Sequence, residues 1–506
     1  MASFFVHGRQ ICLLHSPQHF LLTLRHLFQT VKERAVISAL YVGTGDPESA
    51  VIRDLLSACK ARGRALQVDV LLDCLRGTRK DKTTEASSVN RLLPVLWSGQ
   101  TRARVALFHT PLLSGPLKRV LPARINEVLG TLHVKVFIAD DTAVLTGANL
   151  STSYLTDRQD RYVVIRDASV ADYLHQIVSS VSACSYQLED NGDLLLPSSV
   201  PDPSQRPDDF AAYLGERLQP YQAVSTTGGR HGLPHWRTED IPPHCRRADL
   251  TGPKTAALQS SLARVSFRLQ AGFISPPIMD ELTLLEEVLA NAAESGQRVV
   301  LASGYLNPPT QLREALQKFA ATRAEKGREG EGGKSSSSAT AALSLVTAAP
   351  EANSFHNSRG LSFWIPAAYA SAGADLLASL PAGSVTMREY CRPGWTFHSK
   401  GIWLYPPDSD KTFPRSSDRL PWATVCGSSN FSQRSSFRDL ELSCFIETGE
   451  EELRKDMGKE VEALMGGDGD SDSGGFSRGV GVREMRGRCP GWLRWLVAKS
   501  RVGTLL

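Results

Sequence analysis

The chain repeats itself, and this limits what it can fold into more than any other feature. Ser38-Ala39-Leu40-Tyr41-Val42 closes one apolar β-type run, and Ala302-Ser303-Gly304-Tyr305-Leu306 closes another. A His-x-Lys follows each tyrosine at nearly the same distance: Tyr41 to His133 is 92 residues and Tyr305 to His398 is 93. An asparagine then follows in a turn of small residues, Thr146-Gly147-Ala148-Asn149 and Gly427-Ser428-Ser429-Asn430, and 11 residues beyond each asparagine stands an acid, Asp160 and Glu441. A lone His-x-Lys is a common end to a solvated strand. Four spacings held in register twice predict two related halves. The His-to-Asn interval is 16 residues in the first half and 32 in the second, and the polar insert Pro406 to Pro421 accounts for the excess.

Length alone, 506 residues at roughly 150 per domain, suggests about three domains. The repeat reduces this to a first half over 1–195, a Pro/Gly/Ser-rich connection over 196–255, and a second half over 256–465 with a low-complexity loop at about 324–340. An acidic Gly/Ser linker and a basic tail fill 466–506. Ser16-Pro17 reads as a helix start, with Phe20, Leu24 and Phe28 at helical spacing. A β-type run (Ala35 to Val42), helical periodicity (Glu48 to Cys59) and a buried strand (Leu66 to Leu72) predict an α/β fold with a largely parallel sheet. Apolar residues at 42% and charged residues at 22% exclude a collagenous, coiled-coil or wholly disordered chain. No apolar run reaches about 18 residues, so no membrane-spanning helix is expected. Nine cysteines without a CxxC pair argue against a disulfide framework or zinc ribbon, and for a reducing compartment. The net charge of +4 by itself points to neither nucleic acid nor membrane.

The repeated residue types suit one chemistry. Side chains two apart on a strand share a face, so His133 projects with Lys135 and His398 with Lys400. If the halves pack about a pseudo-twofold axis, two imidazoles, two ammoniums and the carboxamides of Asn149 and Asn430 converge. Such a donor-rich site stabilises a phosphodiester gaining negative charge. One histidine attacks phosphorus to give a phospho-histidine; the other protonates the leaving group and then deprotonates the incoming nucleophile. Asp160 and Glu441 are the candidates to orient the rings. The lysines supply the neutralising charge, so neither metal nor cofactor is expected.

These residues resemble the phospholipase D superfamily, whose signature is HxKxxxxD followed by a GSxN-like turn. The first copy is complete, with His133, Lys135, Asp140 and TGAN ending at Asn149; the second has His398, Lys400 and GSSN, but Tyr405 where the Asp would stand. Within it the chain is similar to the eukaryotic phosphatidylglycerophosphate synthase family through LYVGTG, LFHTP, TGANLSTSYLTDRQDRYV, IPAAY and GWTFHSKGIWLY, which span about residues 5 to 450. The resemblance implies two homologous α-β-α halves packed about a pseudo-twofold axis, with one shared active site. It implies CDP-diacylglycerol and glycerol 3-phosphate as substrates, and phosphatidylglycerophosphate and CMP as products, on the route to phosphatidylglycerol and cardiolipin. It places His133, Lys135, Asp140, His398 and Lys400 in the catalytic motif, with Asp140 in a structural part. By family precedent His133 is the nucleophile, although the sequence itself does not decide between the histidines. It also implies the matrix side of the mitochondrial inner membrane, although no Arg-rich presequence of useful length precedes the first helix.

Supporting roles fall to Ser428, as a phosphate donor absent from the first copy (Gly147), to Tyr41 and Tyr305 at the rim, and to Arg161 and Arg438 as contacts for glycerol phosphate. Rim aromatics are more often core, and arginines near strands more often solvated. The tail from Arg478 mixes seven Arg/Lys with Trp492 and Trp495, which suits peripheral membrane contact or merely a solvated end. Competing functions are a phospholipase D-type phosphodiesterase or hydrolase, a cardiolipin synthase, and a non-catalytic membrane scaffold. Nucleic acid is disfavoured, because no aromatic-basic stacking pattern is present.

Overall fold

A computed structural model describes residues 3–81, 84–97, 102–114, 129–223, 260–330, 341–407, 420–466 and 476–499. Residues 331–340 of the expected loop, the body of the Pro406–Pro421 insert, the Gly/Ser linker at 467–475 and residues 500–506 lie outside the described residues, as do 224–255 of the expected connection. Residues 324–330, expected in the loop, instead continue the helix Thr310–Gly330.

The first helix starts where the sequence places it. Ser16 accepts from the His19 amide at 3.1 Å, Pro17 opens Pro17–Thr30, and Phe20, Leu24 and Phe28 are buried. Strand alternation then divides the core. Along Arg34–Ala39, the residues Ala35, Ile37 and Ala39 face an outer core under the helices Pro17–Thr30 and Asp46–Arg62, whereas Val36 faces a central core.

Two large mixed sheets form the frame. The first runs Leu194–Leu195, Tyr186–Leu188, Arg102–Phe108, Gln67–Asp73, Arg34–Ala39, Val136–Ala139, Thr142–Thr146, Tyr162–Arg166, Ile11–Leu14. The second runs Ser477–Gly479, Val385–Tyr390, Leu343–Ala348, Arg298–Ser303, Lys400–Tyr405, Ala423–Gly427, Glu441–Thr448, Leu262–Ala271, Ser3–His7. From Tyr186–Leu188 and Ser477–Gly479 inward, the pairing senses match position by position: antiparallel, twice parallel, then antiparallel to Ile11–Leu14 and Leu262–Ala271. The largely parallel sheet expected from the sequence is therefore corrected. Only three adjacent strands in each sheet run parallel, because links as short as Asp140-Asp141 between Val136–Ala139 and Thr142–Thr146 permit only hairpins.

Two boundaries differ from the expected ones. The strand Ser3–His7 pairs with Leu262–Ala271 in the second sheet, so the N-terminus ties the halves together. The expected connection contains a helix, Pro207–Leu218, whose Phe210, Leu214 and Leu218 enter the central core. Each such side chain is worth about 1.5–3 kcal/mol when fully buried. The central core takes residues from both sheets, among them Val136, Leu145, Val163, Val300, Trp403 and Leu442. It places the two His-x-Lys segments at the junction.

Candidate active site

Backbone pairing between the halves builds the site. Thr396–Phe397 pairs in parallel with Arg158–Gln159, and Leu132 bridges Leu440 in parallel. The His398 amide therefore donates to the Gln159 carbonyl (2.8 Å), and the His133 amide donates to that of Leu440 (2.9 Å). The next residue on each partner strand is an acid. His133 Nδ1 lies 2.9 Å from both oxygens of Glu441, and His398 Nδ1 lies 2.6 Å from Asp160 Oδ2. Each histidine is thus held at Nδ1 by the acid of the other half, which turns its Nε2 toward the cluster. Lys400 Nζ also lies 2.6 Å from His398 Nδ1 and 3.1 Å from its Nε2.

The lysines sit as the i, i+2 spacing predicts, although both histidines lie just before the strands rather than inside them. Lys135 Nζ donates to the His133 carbonyl (2.6 Å), and Lys400 Nζ donates to that of His398 (2.7 Å). All six groups are buried. Burial drives both imidazoles well below their ordinary range, with the neighbouring Lys135 or Lys400 adding to the effect. It raises Asp160 to about 6 against the pull of Lys400, and Glu441 to about 7 against that of Lys135. It lowers Lys135 to about 7 and Lys400 to about 8, opposed by Glu441 and Asp160 respectively. Burial of this kind disfavours the charged forms, and an entering phosphate anion favours the ammonium forms.

With this geometry in view, relatives decide the family. The chain is 32% identical over 479 residues to the mouse protein named CDP-diacylglycerol–glycerol-3-phosphate 3-phosphatidyltransferase, mitochondrial, covering 91% of this chain and 78% of that one. The chain belongs to that phosphatidyltransferase family. The human protein of the same name is 32% identical over 482 residues at the same coverage, and the Saccharomyces pastorianus member is 28% identical over 476 residues, 90% of this chain and 82% of that one. No family model matches. Among solved structures, the phosphatidylserine synthase of Haemophilus influenzae shares the fold, with a TM-score of 0.64 at 16% identity over 99% of this chain and 95% of that one.

The other residues expected at this site divide sharply. Asp140 is not part of the cluster. It sits in the hairpin turn with φ of 49°, and its carboxylate accepts from the backbone amides of Lys32, Glu33 and Arg34 at 2.8–3.3 Å. Ser428 donates to Glu441 Oε2 (2.5 Å) and so positions the acid, in place of the expected phosphate contact. Asn149 Oδ1 accepts from the Leu40 amide (3.2 Å), whereas Asn430 Oδ1 is buried without a hydrogen-bond partner among the described residues. Arg161 does not face substrate: it is buried against Glu460 (2.6 Å) and stacked over Trp403 at 4.1 Å. Arg438 is half-buried. Tyr305 borders the site, its ring 5.9 Å from that of His398, while the Tyr41 hydroxyl meets Ser151 at 3.0 Å.

Sequence reasoning passed over three contributors. Tyr154 hydroxyl lies 3.3 Å from His398 Nε2. Arg158 stacks over Tyr154 at 4.2 Å. Asp439 binds Arg434 at 3.0 Å and Thr131 at 2.8 Å. The 281-residue offset between the two asparagines maps Arg158 onto Asp439, which was the available signal.

At the far end of the chain, Gly491–Lys499 packs Leu493 against Ala368 of the helix Ile365–Ala378. Its other face leaves Trp492 55% and Trp495 65% exposed, beside Phe363 at 55%. Phe363, Trp364 and Trp492 form one patch, with Trp364 5.3 Å from Trp492 and 5.1 Å from Phe363. Arg359 and Arg494 are exposed beside these rings in sequence. Among the described residues no helix is long and apolar enough to cross a membrane.

Proposed function

We propose that this chain transfers the phosphatidyl group of CDP-diacylglycerol to sn-glycerol 3-phosphate, releasing CMP, through a phosphatidyl-histidine. The observation carrying this reading is the crossed pairing of two histidines with acids from opposite halves, which equips one site with two separately oriented imidazoles. His133 Nε2, neutral because of burial, attacks the phosphorus bearing the diacylglycerol. The P–O bond to CMP breaks, and His398, which enters this step as the imidazolium that Asp160 and the anionic substrate stabilise, gives that oxygen its Nε2 proton and becomes neutral. Glu441 stabilises the positive charge that His133 acquires, while Lys135 and Lys400 stabilise the equatorial oxygens. In the second half-reaction His398 takes the proton of the glycerol 3-phosphate hydroxyl, whose oxygen displaces His133 from phosphorus. The product is phosphatidylglycerophosphate, and His133 is regenerated.

The donor is a bilayer lipid, and the mitochondrial names of the relatives support a mitochondrial location; within it we place the chain on the matrix face of the inner membrane. Peripheral attachment through the Trp492–Trp495–Phe363 patch suits a chain whose described helices do not span a bilayer. Aromatic rings favour the lipid interface, and each nearby Arg adds about 1 kcal/mol on anionic lipid.

The test is CMP release from CDP-diacylglycerol by purified protein, with and without glycerol 3-phosphate, followed by acid quenching to trap a labelled adduct. Dependence on the acceptor and label on His133 are expected. Release that ignores the acceptor makes the protein a hydrolase, and label found only on His398 exchanges the two roles.

A further inference from the structure

The two acid-bearing segments build one contact with opposite charge. Thr131 and Thr396 each precede a catalytic histidine by two residues, and Asp439 and Arg158 each precede a catalytic acid by two. Asp439 Oδ1 accepts from the Thr131 amide (2.8 Å) and hydroxyl (2.9 Å), and the same carboxylate holds Arg434. At the corresponding place in the other half, Arg158 Nε donates to Thr396 Oγ1 (3.0 Å). Charges around His133 therefore balance: Lys135 and Arg434 against Glu441 and Asp439. Around His398 they do not, because Lys400 and Arg158 face Asp160 alone.

Arg158 is half-buried and makes no ion pair among the described residues. Its immediate electrostatic neighbours are Tyr154, Tyr305 and Tyr41, and its charge is felt at His398, Lys400 and Asp160. The Tyr154 ring under the guanidinium fixes the plane of the fork, and Thr396 fixes its Nε. The terminal nitrogens are left with no carboxylate. A planar, desolvated guanidinium of this kind matches a phosphate dianion.

We infer that Arg158, with Tyr154 and Tyr305 beside it, forms a phosphomonoester-binding subsite on the His398 side of the cluster. This rests on the transfer reading above. In an in-line displacement the leaving and entering groups occupy the side opposite the nucleophile. CMP and glycerol 3-phosphate are both phosphomonoesters, and both occupy the side of His398. The same cation then selects glycerol 3-phosphate over glycerol.

Arg158→Gln and Arg158→Lys test this, with melting temperature as the check on folding. In Arg158→Gln the preference for glycerol 3-phosphate over glycerol is expected to fall about 10- to 100-fold, the worth of one charge-assisted contact, and Arg158→Lys falls between it and the parent. Exchange of labelled CMP into CDP-diacylglycerol without acceptor separates the sources. A loss seen only with glycerol 3-phosphate assigns the subsite to the acceptor, and a matching loss in exchange assigns it to CMP as well. A folded Arg158→Gln protein with unchanged preference and unchanged exchange overturns the inference. If the parent protein transfers nothing, the transfer reading fails on its own. Calorimetric titration with glycerol 3-phosphate then still decides the subsite: binding weakened in Arg158→Gln supports it, and equal binding by both proteins refutes it.

Discussion

Gly147 stands where a side chain would collide with Asp160 and Lys400. A Cβ at this position would meet Asp160 Oδ1 at 2.7 Å, Asp160 Oδ2 at 3.2 Å and Lys400 Nζ at 3.2 Å. Ordinary contact begins near 3.4 Å, so in Gly147→Ala the carboxylate must retreat by roughly 0.7 Å. Its hydrogen bond to His398 Nδ1, 2.6 Å long, cannot survive such a retreat intact. Misplacing a catalytic group by about 1 Å costs about 10²-fold in rate, and overpacking costs about 1–3 kcal/mol of stability. Gly147→Ala is therefore expected to remain folded, with kcat reduced about 10²-fold, measured as CMP release at saturating glycerol 3-phosphate. The other half is the internal control. Ser428 occupies the corresponding place without collision because its hydroxyl donates to Glu441. Ser428→Ala removes one bond to a charged group and is expected to cost roughly 10-fold, with no steric component. A folded Gly147→Ala protein with parental kcat would refute the claim that Asp160 orients His398.

Glu441 titrates near 7 in the folded chain, so kcat/KM should rise with pH through about that value as the carboxylate becomes able to support His133; Glu441→Gln should flatten this rise and lower the plateau by about 10²-fold in a pH–rate profile. Because this carboxyl is raised on folding, its favourable contribution is complete below about 4.5 and is lost as pH climbs through 7, so the same substitution should raise the melting temperature at about pH 8. Asp140→Ala should lower thermal stability by about 1–3 kcal/mol, by stripping acceptors from the amides of Lys32 to Arg34, while kcat stays within twofold. Trp492→Glu with Trp495→Glu should abolish flotation with cardiolipin-containing vesicles; unchanged flotation would exclude this patch as the membrane contact.

The sequence disclosed which residue types meet, because the repeat preserves their intervals. It did not disclose the crossing of the acids, because the pairing of Leu132 with Leu440 and of Phe397 with Gln159 joins segments more than 200 residues apart. Local spacing named both acids without saying which ring each one holds. The arginines misled for a related reason. Arg158 and Arg161 lie three apart across a change of strand: Arg161 turns inward to Glu460, and Arg158 turns to the tyrosines around His398. Propensity assigns both to a charged strand end. The sheet was read as largely parallel because strand–helix–strand spacing marks only its parallel third. The hairpins that carry the asparagine turns have apolar residues on both faces, and so show no half-buried alternation.

The missing Asp of the second motif fits the same logic. In the first half Arg34 opens its strand, and Asp140 follows the partner strand. Arg34 Nε donates to the Asp140 carbonyl at 2.8 Å, and the Asp140 carboxylate caps the amides leading into that strand. In the second half Arg298 opens the corresponding strand and is paired in register with Tyr405. There the guanidinium lies 3.9 Å from the centre of the tyrosine ring. Both arrangements fasten an arginine at the start of one strand to the end of its antiparallel neighbour, once through a carboxylate-capped turn and once through a cation–π contact worth about 0.5–2 kcal/mol. Neither touches a histidine. The position can vary between the halves because it stabilises the hairpin that carries His-x-Lys. The acid that matters to each ring arrives 11 residues after the asparagine of the opposite half, where both halves keep a carboxylate.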